Sequence, residues 1–154
     1  MPADAETTPT ADTIDLVGLW RLVRVTGWKD GALRLPEVMG PRPGGYIAYS
    51  RAGRMVVVLD RRSVTRFDER FGPDPIFAYA GTYTRKGDVV THHLEVCTKV
   101  SDIGTDYVRR IEVEGDKLLL CTEPVRKGDS VYVSKLEWVR DGAFSPADEA
   151  ATTG

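Results

Sequence analysis

The sequence has few cysteines, no long apolar run and almost no helical periodicity. Its two cysteines, Cys97 and Cys121, match neither a disulfide framework nor a zinc-binding pattern. No apolar run approaches the roughly 20 residues of a membrane-spanning helix, and the acidic N-terminus lacks the apolar core of a secretion signal. The formal net charge is -2, and the basic residues are scattered among acidic ones. We therefore predict a soluble, cytoplasmic protein with no membrane or nucleic-acid partner.

Two further kinds of site also lack support in the sequence. No glycine-rich phosphate loop follows a predicted strand, so a nucleotide cofactor is not indicated. His92 and His93 are adjacent, and neighbouring side chains of a pleated strand point to opposite faces, so the two cannot both bind one metal ion. We predict neither a cofactor nor a metal.

The 154 residues fit one domain of ordinary size. Residues 1–13 and 141–154 are rich in small and polar residues, and we predict that both are disordered tails. Residues 14–140 then form the folded domain. Residues 61–80 place phenylalanines among prolines and charges, and we expect this stretch to fold over one end of a sheet.

Short runs of valine, tyrosine, threonine and leucine recur between glycine-containing turns, a pattern typical of all-β proteins. The eight predicted strands span residues 18–28, 45–50, 54–59, 81–86, 89–100, 105–114, 117–122 and 131–140. A short helix over residues 12–16 is expected before the first strand, because Asp12 or Thr13 could cap it.

Two tight glycine–aspartate turns fix the predicted register. The first joins the fourth and fifth predicted strands as a two-residue hairpin loop and places Tyr83 opposite His92. The second joins the sixth and seventh strands and places Arg109 opposite Thr122. Opposite residues of an antiparallel pair share a face. The alternation therefore directs His92 and Arg109 to the apolar face and His93 to solvent.

One apolar face along eight sequential strands needs cover, and a closed barrel provides it while removing the sheet edges. We predict an all-β, eight-stranded antiparallel up-and-down barrel. A two-sheet sandwich is the alternative, although its crossovers fit the short connections less well. Trp20 and the tight turns should close one end. The long connections 29–44, 60–80, 101–104 and 123–130 should surround the other, where a ligand would enter.

The first and last strands resemble those of a known family. Gly18-Leu19-Trp20 resembles the Gly-x-Trp start of lipocalins, and Arg140 resembles the last-strand arginine that packs near that tryptophan. Further segments are similar, in order, to the bacterial and fungal lipocalin-like domain family: 49–55, 79–83, 92–95, 104–106 with Arg109, and 118–120. The resemblance implies an intracellular calycin barrel with a small-molecule cavity. Related barrels in natural-product pathways act as cyclases.

Inward-facing ionisable residues give the candidate site. His92 could donate, accept or shuttle a proton, or it could be a core histidine bonded to the Tyr83 hydroxyl. Arg109 could bind an anionic or enolate-bearing ligand, or it could extend to the open mouth. Arg24 shares the face of Trp20 by alternation and has the same interpretation.

The remaining candidate contacts are inward-facing by alternation. The residues predicted to contact substrate are Tyr107, Arg24, Trp28, Tyr132, Ser134 and Trp138. The aromatic members could equally be ordinary core. No Ser-His-Asp arrangement surrounds Ser134, so nucleophilic hydrolysis is not expected.

Two functions remain open at this point. The protein could be a cofactor-free cyclase or isomerase of polyketide-type, antibiotic-like secondary metabolism. In that case the cavity would fold the substrate, His92 and Tyr83 would exchange protons, and Arg109 would stabilise negative charge. Alternatively it could be a non-catalytic carrier or sensor of a hydrophobic metabolite. The inward ionisable groups favour the enzyme. Either way we expect a small, largely apolar ligand with a polar or anionic group, and a monomer or homodimer.

Overall fold

The architecture is all-β in the computed structural model, which describes residues 9–62 and 74–141. The strands are β1 (Gly18–Lys29), β2 (Ala32–Leu35), β3 (Gly44–Tyr49), β4 (Arg54–Asp60), β5 (Ile76–Lys86), β6 (Val89–Cys97), β7 (Asp106–Glu114), β8 (Lys117–Thr122), β9 (Val125–Lys127) and β10 (Ser130–Arg140). A single 3-10 turn, Val100–Asp102, lies between β6 and β7. Across these residues no helix is long and apolar enough to cross a membrane.

Eight of these strands form a closed barrel. Neighbours follow the order β1, β3, β4, β5, β6, β7, β8 and β10, and β10 pairs again with β1. Every pairing in this ring is antiparallel. Two short strands were not predicted from the sequence and lie outside this ring. The strand β2 pairs with β1, and β9 pairs with β10. The predicted eight-stranded antiparallel barrel is therefore confirmed, and its closure excludes the open sandwich.

The register predicted from the two tight turns is also confirmed. Tyr83 lies opposite His92, and Arg109 lies opposite Thr122. Gly87 has a φ of 61°, a left-handed conformation that glycine adopts without the steric cost of a Cβ atom. The fourth predicted strand began too late, because β5 starts at Ile76 and already alternates buried and less buried residues from Phe77 onward.

A bulge in β1 changes which side chains face the interior. Leu22 and Arg24 pair with consecutive residues of β10, which leaves Val23 without a partner. One extra residue reverses the alternation beyond it. Val25 is therefore buried, whereas the side chain of Arg24 is 52% exposed. The prediction that Arg24 faces the interior is wrong for this reason.

A second bulge lies in β6, where Ala80 and Gly81 of β5 pair with Val96 and Leu94. Leu94 stays buried, but Val96 turns outward and is exposed. A Cβ atom on Gly81 would lie 1.9 Å from the carbonyl oxygen of His93, so only glycine permits the close approach of the two backbones here.

Trp20 is buried at one end of the barrel. Its indole Nε1 donates a hydrogen bond of 2.9 Å to the carbonyl of Leu16. The guanidinium of Arg140 lies 4.2 Å from the centre of the Trp20 ring, a cation–π contact. This tryptophan–arginine contact is the one that the resemblance implied.

Residues 9–17 cross beneath the same end, and we call them the N-terminal strap. Arg85 donates hydrogen bonds from its guanidinium to the carbonyls of Ala11 and Ile14. Ile14 and Leu16 are buried at alternate positions, which requires an extended chain. The helix predicted over residues 12–16 is therefore wrong, and residues 11–13 form a turn instead.

Parts of three predictions fall outside the described residues. They are residues 1–8 and 142–154 of the two predicted tails, and residues 63–73 of the stretch expected to cover the sheet. Residues 9–13 of the predicted N-terminal tail belong instead to the strap, where Ala11 accepts a hydrogen bond from Arg85.

Candidate ligand cavity

The open end of the barrel holds a cavity of about 290 Å³. Its apolar lining consists of Val25, Met39, Leu59, Phe77, Val125 and Leu136. Val125 follows β8, on one of the long connections that were predicted to surround the mouth. The volume lies at the lower end of the range for ligand pockets, so the cavity suits one small molecule.

Met39 reaches the cavity from the connection between β2 and β3. The amide of Val38 donates a 2.9 Å hydrogen bond to the carbonyl of Val25, which holds this connection against β1. Met39 is buried and lines the cavity. Met39 could not be identified from the sequence, because a methionine among turn residues carries no periodic signal.

Arg109 lines the cavity from β7 and is half-buried. Its Nη1 donates a 3.1 Å hydrogen bond to the carbonyl of Val108, and its guanidinium lies 5.1 Å from the centre of the Tyr107 ring. Within the described residues, the ion pairs of carboxylates do not include Arg109. The Arg109 guanidinium thus points into the cavity. It has no carboxylate partner among residues 9–62 and 74–141.

Two carboxylates also border the cavity, those of Asp102 and Glu123. Asp102 accepts a short hydrogen bond from the Tyr107 hydroxyl, and the Nζ of Lys99 lies 3.9 Å from it. Burial and this hydrogen bond raise the pKa of Tyr107, so its hydroxyl stays protonated. Glu123 lies on the exposed connection after β8. Asp102 is therefore engaged by Tyr107 and Lys99.

His92 points into the barrel, where it is 1% exposed and bonded to two tyrosines. Its Nε2 lies 2.6 Å from the Tyr49 hydroxyl, and its Nδ1 lies 2.9 Å from the Tyr79 hydroxyl. Burial, with a smaller contribution from the charge of Arg109, lowers the pKa of His92 to about 3. The imidazole is therefore neutral at physiological pH.

The expected hydrogen bond between His92 and Tyr83 is wrong, although the two residues are opposite in register. The Tyr83 hydroxyl donates instead to the carbonyl of Ser50, at 2.7 Å. The rings that reach His92 come from farther positions, Tyr79 on β5 and Tyr49 on β3. Tyr79 also lines the cavity, whereas His92 and Tyr83 do not.

Tyr49 and Tyr79 were not predicted as partners of His92, for different reasons. Tyr79 preceded the strand predicted to begin at residue 81, so its face was not assigned. Tyr49 shares the alternation of buried Ile47 on a correctly predicted strand, and this signal could have identified it.

Trp28 and Tyr132 do not line the cavity. Trp28 lies beyond the β1 bulge, and the reversed alternation places it on the face of Lys135, whose Nζ lies 4.5 Å from its ring centre. Its Nε1 donates to Thr26. Tyr132 has inward alternation but lies past the cavity, 5.5 Å from the guanidinium of Arg34. Both predicted substrate contacts are therefore wrong as cavity contacts.

Trp138 and Ser134 share a face of β10 but lie at different depths. Trp138 is buried in the core away from the cavity, and its Nε1 has no hydrogen-bond partner in the part of the chain that the structure describes. Ser134 lines the cavity beside Thr122, whose Oγ1 accepts a 2.9 Å hydrogen bond from the Ser134 amide. Of the predicted substrate contacts, the structure thus brings Tyr107 and Ser134 to the cavity with Arg109.

His93 lies on the outer face, as its alternation predicted. Its Nδ1 is 2.8 Å from a carboxylate oxygen of Asp106, and its Nε2 is 3.1 Å from the Thr84 hydroxyl. Among residues 9–62 and 74–141, no group of three or more histidine, cysteine, aspartate or glutamate side chains is placed to hold a metal ion. Cys97 and Cys121 are both free and buried, on strands separated by β7.

Comparison with known proteins gave one finding. A family model described as a lipocalin-like domain matches residues 17–141. Neither the curated proteins nor the solved structures gave a significant match.

Proposed function

The chain belongs to the lipocalin-like domain family, and on this basis we propose that it binds one small, largely apolar organic molecule whose anionic or strongly polar group meets Arg109. The apolar lining of the cavity would hold the body of this molecule. The cavity of about 290 Å³ limits the ligand to a small one.

The position of Arg109 carries this proposal. A guanidinium that leaves water needs an anion, a carbonyl or several hydrogen-bond acceptors to offset its lost hydration. Within the described residues Arg109 has only one backbone carbonyl and the face of Tyr107. A ligand carboxylate, enolate or carbonyl would supply the missing acceptor.

The test compares 2-naphthoate with 2-ethylnaphthalene, which has a similar shape and no charge. We expect Arg109→Leu to weaken the binding of 2-naphthoate about ten- to a hundredfold, the value of a charged hydrogen bond, and to leave 2-ethylnaphthalene unchanged. Calorimetric titration measures both affinities.

Arg110→Leu is the matched control, because Arg110 is adjacent in sequence but exposed on the outer face and paired with Glu112. This variant should bind both probes like the wild type. The proposal fails if the wild type binds neither probe, or if Arg109→Leu binds 2-naphthoate with unchanged affinity.

A second candidate function is catalysis, as a cofactor-free cyclase or isomerase of polyketide-type secondary metabolism. The observation that favours it is the hydrogen-bonded chain from Tyr79 through His92 to Tyr49, because Tyr79 lines the cavity. Such a chain could exchange a proton with a bound substrate. In this function Tyr79 takes the part that the sequence assigned to Tyr83, and Arg109 stabilises developing negative charge.

Metabolite profiles of the source organism separate catalysis from carriage. Loss of the protein should cause an uncyclised or unisomerised precursor to accumulate, and Tyr79→Phe should not restore the product. If the same variant restores the product fully, the catalytic proposal is wrong.

We also propose that the protein acts in the cytoplasm. Two cysteines that are buried and unpaired suit a reducing compartment.

A further inference from the structure

The cluster of Tyr49, His92 and Tyr79 has more polar hydrogens than hydrogen bonds within it. A neutral imidazole carries one N–H and one lone pair, and each tyrosine carries one O–H. Three hydrogens therefore share two contacts, those of Nε2 with Tyr49 and of Nδ1 with Tyr79. One tyrosine must donate to the imidazole and the other must accept from it. The accepting tyrosine keeps a hydroxyl hydrogen that the cluster does not use.

The surroundings decide which tyrosine keeps this hydrogen. Tyr49 is buried and does not border the cavity, and within the described residues its hydroxyl contacts only His92. An unused hydrogen there would be a buried donor without an acceptor, which is costly. Tyr79 lines the cavity, where a ligand or water can accept a hydrogen bond.

The two contact lengths agree with this assignment. The distance from the Tyr49 oxygen to Nε2 is 2.6 Å, in the short range that hydroxyl donors prefer. The distance from Nδ1 to the Tyr79 oxygen is 2.9 Å, the commonest length for an N–H donor and an oxygen acceptor. Tyr49 thus donates to Nε2, and Nδ1–H donates to Tyr79.

We propose that Tyr79 presents its hydroxyl hydrogen to the cavity, where it and Arg109 together bind one acceptor oxygen of the ligand. The ligand class is then an apolar molecule with a carbonyl, enolate or carboxylate oxygen. His92 and Tyr49 are positioning residues, which fix the Tyr79 oxygen from behind. The ligand part of this inference rests on the proposed function, whereas the assignment of the hydrogens does not.

The first test needs no ligand. The chain has two histidines, so His93→Gln leaves His92 as the only imidazole. In this variant, labelled with ¹⁵N, long-range correlations between ring nitrogens and ring protons at pH 7 show which nitrogen bears the hydrogen. We expect the hydrogen on Nδ1. A hydrogen on Nε2 would place the unused hydroxyl on Tyr49 and overturn the inference.

The second test uses a neutral ketone, 2-acetylnaphthalene, with 2-ethylnaphthalene as the probe that lacks an acceptor. Tyr79→Phe should weaken ketone binding about five- to tenfold, the value of a neutral hydrogen bond, and leave the hydrocarbon unchanged. Tyr83→Phe is the matched control, since it removes a hydroxyl on the same strand that donates to the carbonyl of Ser50 and does not reach the cavity. This variant should bind the ketone like the wild type.

The outcomes separate the two proposals. If the wild type binds 2-naphthoate through Arg109 but Tyr79→Phe binds the ketone as tightly as the wild type, this inference is wrong and the proposed function stands. If the wild type binds none of the probes, the proposed function fails, and the ligand part of this inference fails with it. The nitrogen spectra still decide the hydrogen assignment.

Discussion

His92 is a base that folding keeps uncharged. Burial and the charge of Arg109 lower its pKa to about 3, whereas a histidine in an unfolded chain has a pKa of about 6.5. Between these values the unfolded chain binds a proton that the folded protein does not. The free energy of unfolding must therefore fall as the pH falls through this window. The stability that the neutral His92 contributes is fully present only above a pH of about 6.5.

We predict that the free energy of unfolding decreases by about 1.4 kcal/mol per pH unit between pH 6 and pH 4.5, the slope for one proton. Urea denaturation at several pH values measures it. His93→Gln should keep this slope and His92→Gln should flatten it, because the amide does not titrate. Equal slopes in the two variants would show that His92 is not the group responsible.

The β1 bulge sets the interior face of the strand that closes the barrel. Val23 is the unpaired residue, and without it Leu22, Arg24 and Val25 would alternate regularly while keeping their present faces. The bulge is thus one extra residue that the strand accommodates, and the residues on either side already suit a regular pairing.

Deletion of Val23 should therefore leave the fold intact, with a loss of about 1–3 kcal/mol in the free energy of unfolding. Deletion of Arg21, in the same strand, should abolish folding, because it would turn buried Trp20 to the outer face. Circular dichroism with thermal melting compares the two. Unfolding of both deletion variants, or normal folding of both, would show that Val23 is not an extra residue of the strand.

The two bulges also show how far the sequence predicts the site. Strands joined by two-residue turns have their register set locally, and Tyr83, His92 and Arg109 were placed correctly on that basis. A bulge depends on long-range packing and has no local signature, so the faces of Arg24, Trp28 and Val96 could not be read from alternation. The hydrogen-bond partners of His92 are Tyr49 and Tyr79, neither of which lies opposite His92 in the sheet. The strand register alone therefore does not reveal them.

At the scale of the whole molecule, one end of the barrel is closed and the other end holds the cavity. The N-terminal strap closes the first end through the hydrogen bonds of Arg85 to Ala11 and Ile14. The cavity is lined from the other end by residues of the long connections, such as Met39 and Val125. A change at the closed end should therefore affect stability and leave the ligand site unchanged.

Arg85→Met should lower the free energy of unfolding by about 1–3 kcal/mol, since the carbonyls of Ala11, Ile14 and Gly87 lose the hydrogen bonds that the guanidinium donates. It should also speed proteolysis within residues 9–17. The affinity for 2-naphthoate should not change. Arg54→Met is the control, because Arg54 forms an exposed ion pair with Glu95, and such pairs contribute about 0–1 kcal/mol. A loss no greater than that of the control would contradict the role of the strap.

The pairing of β1 with β10 has a consequence for synthesis on the ribosome. Arg24 and Glu137 meet across this seam although they are 113 positions apart. The growing chain can pair β3 to β8 in order, but β1 waits for its second neighbour until β10 has emerged. Until then β1 and β8 are open sheet edges, which can pair with other chains. The closing step is also the one with the largest loop entropy. The interval before β10 joins the sheet is thus when this chain is most prone to pair with other chains.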